Sequence, residues 1–425
     1  MANKLFQKSL PNRVSITTER TWWQSHKLRV KGSVIGILAL LGCLLVLLIY
    51  FYDEPLVSPL SGVTSFQFLK GERQETPFFQ NEKKVVYGFL PYWNLAKANI
   101  QPEITHLAYF SLGIGADGTI VSTNEQNQLE PGYSRLGSDR LLELANQVTR
   151  NKGKIDIVLT QFNNAEIEAF LASPSAHQQT MSSLDSLLLA YPITGVNIDI
   201  EYVGSATPVL RYQYVQFIKT LRNHLNQKYK NITLSIDLYA SAADRPLIWD
   251  VPALASSVDY FIVMAYDFHR RSSPTAGPVA PLFGAQEYWD SDINQYMKAF
   301  LVHVPKEKLV LGLPFYGYGW QTTSEAAQST TYPDTGSTYS YERIEQLFTQ
   351  RAELNLKEYW HDTSLSPYLT YTEDDKTYVV HYENARSIAY KLEYARQLDL
   401  AGIAIWALGY EGTTRDLWQP IMQTH

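Results

Sequence analysis

The sequence predicts an α/β fold, a (β/α)8 TIM barrel, and two observations predict it. Short apolar runs of strand length recur eight times between residues 84 and 410, and several intervals between them carry helical spacing. Strands that alternate with helices pair in parallel, and eight such units over about 340 residues close a barrel. A doubly wound open sheet is the alternative; it would normally carry a Gly-rich phosphate loop after an early strand, and none is visible.

Ahead of the barrel, residues 1–33 hold Lys4, Lys8, Arg13, Arg20, Lys27, Arg29 and Lys31 against Glu19, a balance of +6 in a chain of net charge −6. Everything after residue 33 therefore carries −12. So acidic a main domain argues against nucleic acid as a partner. Val34–Tyr52 follows with 19 uncharged residues. At about 1.5 Å per residue that run matches the hydrocarbon thickness of a bilayer, so residues 34–52 read as an N-terminal transmembrane helix in contact with lipid. Basic residues before it and Asp53 and Glu54 after it place the N-terminus in the cytoplasm and the large domain outside. A cleaved signal peptide is the alternative, but its n-region would be unusually long and no A-x-A-like site follows. The single cysteine, Cys43, falls in this run, so the exported domain has no disulfide. That points towards a bacterial cell surface or periplasm, because exported eukaryotic domains commonly use disulfides. Residues 53–83 lack periodicity and read as a linker.

The barrel is expected over 84–420. Its strands are expected in "KVVYGFLPYW" (84–93), "THLAYFSLGI" (105–114), "KIDIVLTQF" (154–162), "TGVNIDIEYV" (194–203), "NITLSIDLYA" (231–240), "VDYFIVMAYDF" (258–268), "KLVLGLPFYGYGW" (308–320) and "LAGIAIWALGY" (400–410). Apolar residues three and four apart predict helices at 138–151, with a Ser cap, and at 209–229, 293–304 and 383–398. About sixty residues after strand seven are too many for a simple loop, and "YLTYTEDDKTYVVHY" (368–382) reads as a hairpin. A small α+β insertion is expected at about 321–381.

The fourth strand, "GVNIDIEY" (195–202), puts an amide and two carboxylates at every second position. Successive side chains on a strand face opposite ways, so Asn197, Asp199 and Glu201 share one face and Val196, Ile198 and Ile200 the other. In a barrel the polar set points inward, with Glu201 nearest the C-terminal mouth where active sites form. Buried carboxylates are costly unless paired or neutralised, and the strand ends supply no basic partner. The charge on Asp199 and partial burial both favour a protonated Glu201, which suits a general acid.

These residues carry a resemblance. "TGVNIDIE" is similar to the fourth-strand motif Asp-Gly-x-Asp-x-Asp-x-Glu of glycoside hydrolase family 18, the chitinase-like family, matching its last Asp and its Glu. "MAYDFH" (264–269) resembles the family's sixth-strand Met-x-Tyr-Asp, "LGLPFYGYGW" its seventh strand and "GIAIWALGY" its eighth. Thr194 and Asn197 depart from the motif, Tyr318 stands where an Arg is common, and "TQFNN" (160–164) replaces the frequent Ser-x-Gly-Gly. "GVNIDIE" and "TQFNN" look nearer the bacterial spore-cortex and cell-wall branch than the secreted chitinases.

The resemblance implies roles residue by residue. Glu201 protonates the glycosidic oxygen, and Asp199 and Tyr266 hold the 2-acetamido group whose carbonyl oxygen attacks C1. Trp406 floors the sugar, Asp267 contacts it near the cleavage point, and Asn197, Met264, Tyr316 and Trp93 join the substrate site. Asp199 and Glu201 leave one strand, so they cannot easily flank a bond from opposite faces, which fits the substrate-assisted exception among glycosidases. The implied function is hydrolysis of β-1,4 bonds in chitin or peptidoglycan. A lectin-like barrel that binds such glycans without turnover is the alternative. His303, His361 and His381 lack metal-ligand spacing, so no metal or cofactor is expected.

Overall fold

The computed structural model describes residues 84–422 apart from 125, 126 and 246. Seven parallel strands come first: β1 (Val85–Pro91), β2 (His106–Gly113), β3 (Lys154–Gln161), β4 (Gly195–Ile200), β5 (Thr233–Tyr239), β6 (Tyr260–Met264) and β7 (Leu309–Pro314). Five more, β8 (Tyr316–Thr322), β9 (Ser337–Ser340), β10 (Lys357–His361), β11 (Ser366–Glu373) and β12 (Lys376–His381), form a separate sheet, before β13 (Gly402–Trp406) closes the barrel. The barrel order is β1-β13-β7-β6-β5-β4-β3-β2. Each of the eight expected runs contains one of its strands. The expected anchor at 34–52, the basic tail and the linker lie outside the described residues. Among the described residues, no helix is long and apolar enough to cross a membrane.

The helices follow the spacing that predicted them. Asp139–Arg150 starts from Ser138, whose hydroxyl accepts from the Leu141 N–H at 3.3 Å. Pro208–Lys228, Ile293–His303 and Ala385–Gln397 fill the other expected intervals. Pro174–Ala190 had no such signal, because its buried face includes His177 and Thr180 as well as Met181, Leu184 and Leu187.

The apolar run 308–320, expected as one strand, divides after Pro314. Phe315 N–H donates to the Trp406 carbonyl at 2.7 Å, and from Tyr316 onward the chain pairs antiparallel with β9 and β12. The second sheet therefore starts at Tyr316, ahead of residue 321; its helix is Tyr341–Thr349. The expected hairpin is β11–β12. Its turn residues Asp374 and Asp375 have φ of 50° and 58°, the left-handed pair that a tight two-residue turn demands.

Glu383, just past β12, and Lys391, on helix Ala385–Gln397, form a fully buried ion pair at 2.7 Å. Removing one partner leaves the other charge stranded. Glu383→Gln is expected to destabilise the fold by about 3–5 kcal/mol in chemical denaturation, and adding Lys391→Met is expected to recover most of that.

Candidate active site

β4 and β5 run parallel with Asn197 beside Ser235 and Ile198 beside Ile236. Side-chain alternation therefore sends Asn197 and Asp199 from β4, and Ser235, Asp237 and Tyr239 from β5, into the barrel. Gly195 opens β4 because an added Cβ would overlap the carboxylate of Asp156 on β3. Polar groups then thread the interior. The Tyr87 hydroxyl donates to Asp156 Oδ2 at 2.6 Å and lies 3.2 Å from Ser235 Oγ. Asn197 Nδ2 donates to Ser235 Oγ at 3.0 Å and to Asp237 Oδ1 at 2.7 Å.

Above this network, at the C-terminal ends of the strands, lies a cleft of about 960 Å³. Asp199, Glu201 and Asp237 line its floor, with Met264, Tyr266, Asp267, Tyr316 and Trp406 around them. The structure thus brings Glu201, Asp199 and Tyr266 together with four of the six expected substrate residues. The other two lie apart from the lining. Asn197 is fully buried beneath the cleft, spending its amide on β5. Trp93 is half-exposed and packs edge-on against Phe110 at 6.0 Å, one ring removed from Trp406.

The electrostatics favour protonated acids. Burial holds Glu201 above the usual carboxylate range; the Tyr239 hydroxyl and Arg270 pull it down, and Asp267 pushes it up. Burial also raises Asp199, helped by the charges of Glu201 and Asp237, and Asp199 Oδ1 has no hydrogen-bond partner. Asp237 is raised by burial and by Glu201, against the pull of Asn197. The sequence reading named the Asp199 charge and partial burial together; here burial is the largest cause.

Asp267 sits in the left-handed region at φ 62°, unusual for a non-glycine residue. Tyr316 and Tyr318 both donate to its Oδ1, the latter at 3.0 Å. Tyr318, standing where an arginine was noted as common, gives Asp267 a neutral donor in place of a charge. Trp406 is held by Phe110 at 4.7 Å and Phe89 at 5.8 Å between ring centroids.

Sequence reasoning missed Asp237, Tyr239, Phe162 and Arg270, all of which line the cleft. The signal for the first two was the Ser-x-Asp-x-Tyr alternation in "LSIDLYA", the same period that marked β4. Phe162 belongs to "TQFNN". There Gln161 Oε1 accepts from the Phe162 and Asn163 N–H groups at 2.9 Å, and Asn163 caps the next helix, leaving Phe162 exposed at the cleft.

The profile of Glycosyl hydrolases family 18 matches residues 78–411. The chain belongs to this glycosidase family. Sequence relatives of this family 18 chain include Bacillus sporulation and cortex-lytic glycosylases alongside chitinases. A putative sporulation-specific glycosylase of Bacillus subtilis is 24% identical over 312 residues, covering 72% of this chain and 66% of that protein, so the match spans just under two thirds of the relative. Two solved structures share the fold. The Ostrinia furnacalis Group IV chitinase in complex with allosamidin has a TM-score of 0.69 at 23% identity, covering 80% of this chain and 97% of that one. The Bacillus cereus spore cortex-lytic enzyme SleL has a TM-score of 0.61 at 19% identity, covering 80% and 74%.

Proposed function

We propose that this family 18 chain cleaves β-1,4 bonds in an N-acetylglucosamine-containing polysaccharide, chitin or peptidoglycan, by substrate-assisted retaining catalysis. The observation that carries the reading is that Glu201 and Asp199 rise from one strand into one cleft, with burial favouring a proton on Glu201. In this reading Glu201 protonates the leaving oxygen. Asp199 and the Tyr266 hydroxyl orient the acetamido group, whose carbonyl oxygen closes on C1 from the opposite face. The positive charge that develops on the acetamido nitrogen is met by the Asp199 carboxylate, and Trp406 packs beneath the ring. The names of the relatives, which include a sporulation glycosylase and chitinases, support a glycan of this class.

The uncharged run 34–52 supports a further part of the proposal, that the protein is tethered to a bilayer with its barrel on the outer side. The test of activity is direct. The full-length protein in detergent is incubated with N-acetylglucosamine oligomers and with purified peptidoglycan, and new reducing ends are measured. Release from at least one is expected; release from neither, with a folded sample, would turn the reading towards a sugar-binding barrel.

A further inference from the structure

Three carboxyls share the cleft floor, and the reaction just proposed uses two of them. The third, Asp237, lies on β5 one strand from Asp199, one step past the Ile198–Ile236 pair. It is buried, it lines the cleft, and its Oδ1 is fixed as an acceptor by the Asn197 amide at 2.7 Å. Asn197 stands where the fourth-strand motif of the family has an acid. An acid there as well would set two carboxyls at hydrogen-bond distance, whereas the amide is complementary to Asp237. The acid absent from β4 is present one strand over.

We propose that Asp237 is a positioning residue of the reaction, a protonated carboxyl clamped by Asn197 that leaves Asp199 as the one anion of the cluster. This rests on the glycosidase reading above. The physical ground is that adjacent buried carboxyls cannot all ionise, because each charge opposes the next and burial opposes all of them. Glu201 must keep a proton to act as the acid, and Asp199 must be anionic to meet the charge on the acetamido nitrogen. The remaining proton therefore belongs to Asp237. Its Oδ1 is occupied as an acceptor, so the proton sits on Oδ2. The other ionisable groups facing the trio are Tyr87, Tyr214, Tyr239, Tyr266 and Asp267, all neutral or acidic, with Arg270 as the cation acting on Glu201. Burial, the largest cause, pushes Asp237 towards its protonated form, against the pull of the Asn197 amide.

The test is Asp237→Asn in the full-length protein, beside the exchange variant Asn197→Asp/Asp237→Asn, which keeps one amide and one acid but reverses them. Asp237→Asn is expected to lower kcat by roughly tenfold to a hundredfold with KM within about threefold. Exchanging a neutral carboxyl for a neutral amide removes no charge beside Glu201, so the alkaline limb of the kcat profile is expected to stay in place. The exchange variant is expected to recover much of the lost kcat. Infrared difference spectra at neutral pH should show one protonated-carboxyl band lost on Asp237→Asn. An unchanged kcat and band would overturn the proposal, as would an alkaline limb displaced to lower pH, which would mark Asp237 as ionised, a loss shared equally by kcat and binding, or an exchange variant no better than Asp237→Asn. If the unmodified protein cleaves no N-acetylglucosamine glycan, the glycosidase reading falls separately, and the infrared band still reports whether Asp237 holds the proton.

Discussion

Glu201→Gln is expected to lower kcat on an N-acetylglucosamine oligomer by about a thousandfold, with the oligomer's dissociation constant unchanged within about threefold. Glutamine keeps the shape of the side chain and its place at the end of β4, where the Glu201 N–H extends the ladder to the Gln161 carbonyl at 3.0 Å. What it loses is the proton. A thousandfold corresponds to about 4 kcal/mol of transition-state stabilisation, more than the cleft's other hydrogen bonds could restore. Steady-state kinetics beside isothermal titration separates the two quantities. A pure sugar binder would show no turnover in the unmodified protein, and hence no difference between the two forms.

The second large effect is at Asp199. Asp199→Asn is expected to reduce kcat by roughly a hundredfold, because the carboxylate aimed at the developing positive charge acts in a buried site where preorganised charge is worth most. The substitution also removes the charge that couples Asp199 to Glu201. Glu201 then gives up its proton more easily, and the alkaline limb of the pH–rate profile moves to lower pH. A kcat profile measured from acid to alkaline conditions reads both effects. A variant that lost activity with its pH profile unmoved would leave Asp199 a structural part only.

Much of the architecture was legible because two periodicities were clean. The eight apolar runs alternated with helical intervals, and in "GVNIDIEY" polar residues took every second position, so the inward face of β4 could be read before the strand had neighbours. The cleft residues at or just past the ends of β6 and β13, Tyr266 and Trp406 among them, followed from short strings that resemble family motifs. Other features were hidden for physical reasons. The run 308–320 stays apolar and aromatic without a break after Lys308, and only Pro314, which ends the barrel ladder, marks where the chain turns into the second sheet. Asn197 shares a face with Asp199, but whether it meets the cleft depends on depth. One pleat lower, it is consumed by Ser235 and Asp237. Asp237 alternates with Ser235 and Tyr239 in "LSIDLYA", but a single acid on that face has no visible partner until β4 is placed beside it. Trp93 follows a strand end and was assigned to the sugar; it packs half-exposed on Phe110, whose ring lines the cleft, a placement set by its neighbours and not by its strand.

Substrate assistance is tested most directly by the configuration of the first product. Two displacements at C1, the first by the acetamido oxygen and the second by water, return the original stereochemistry. Proton NMR of the reducing end released from a β-linked N-acetylglucosamine oligomer, recorded before mutarotation, is predicted to show the β-anomer. An α-anomer as the initial product would require water to attack C1 directly and would contradict the roles assigned to Asp199 and Glu201.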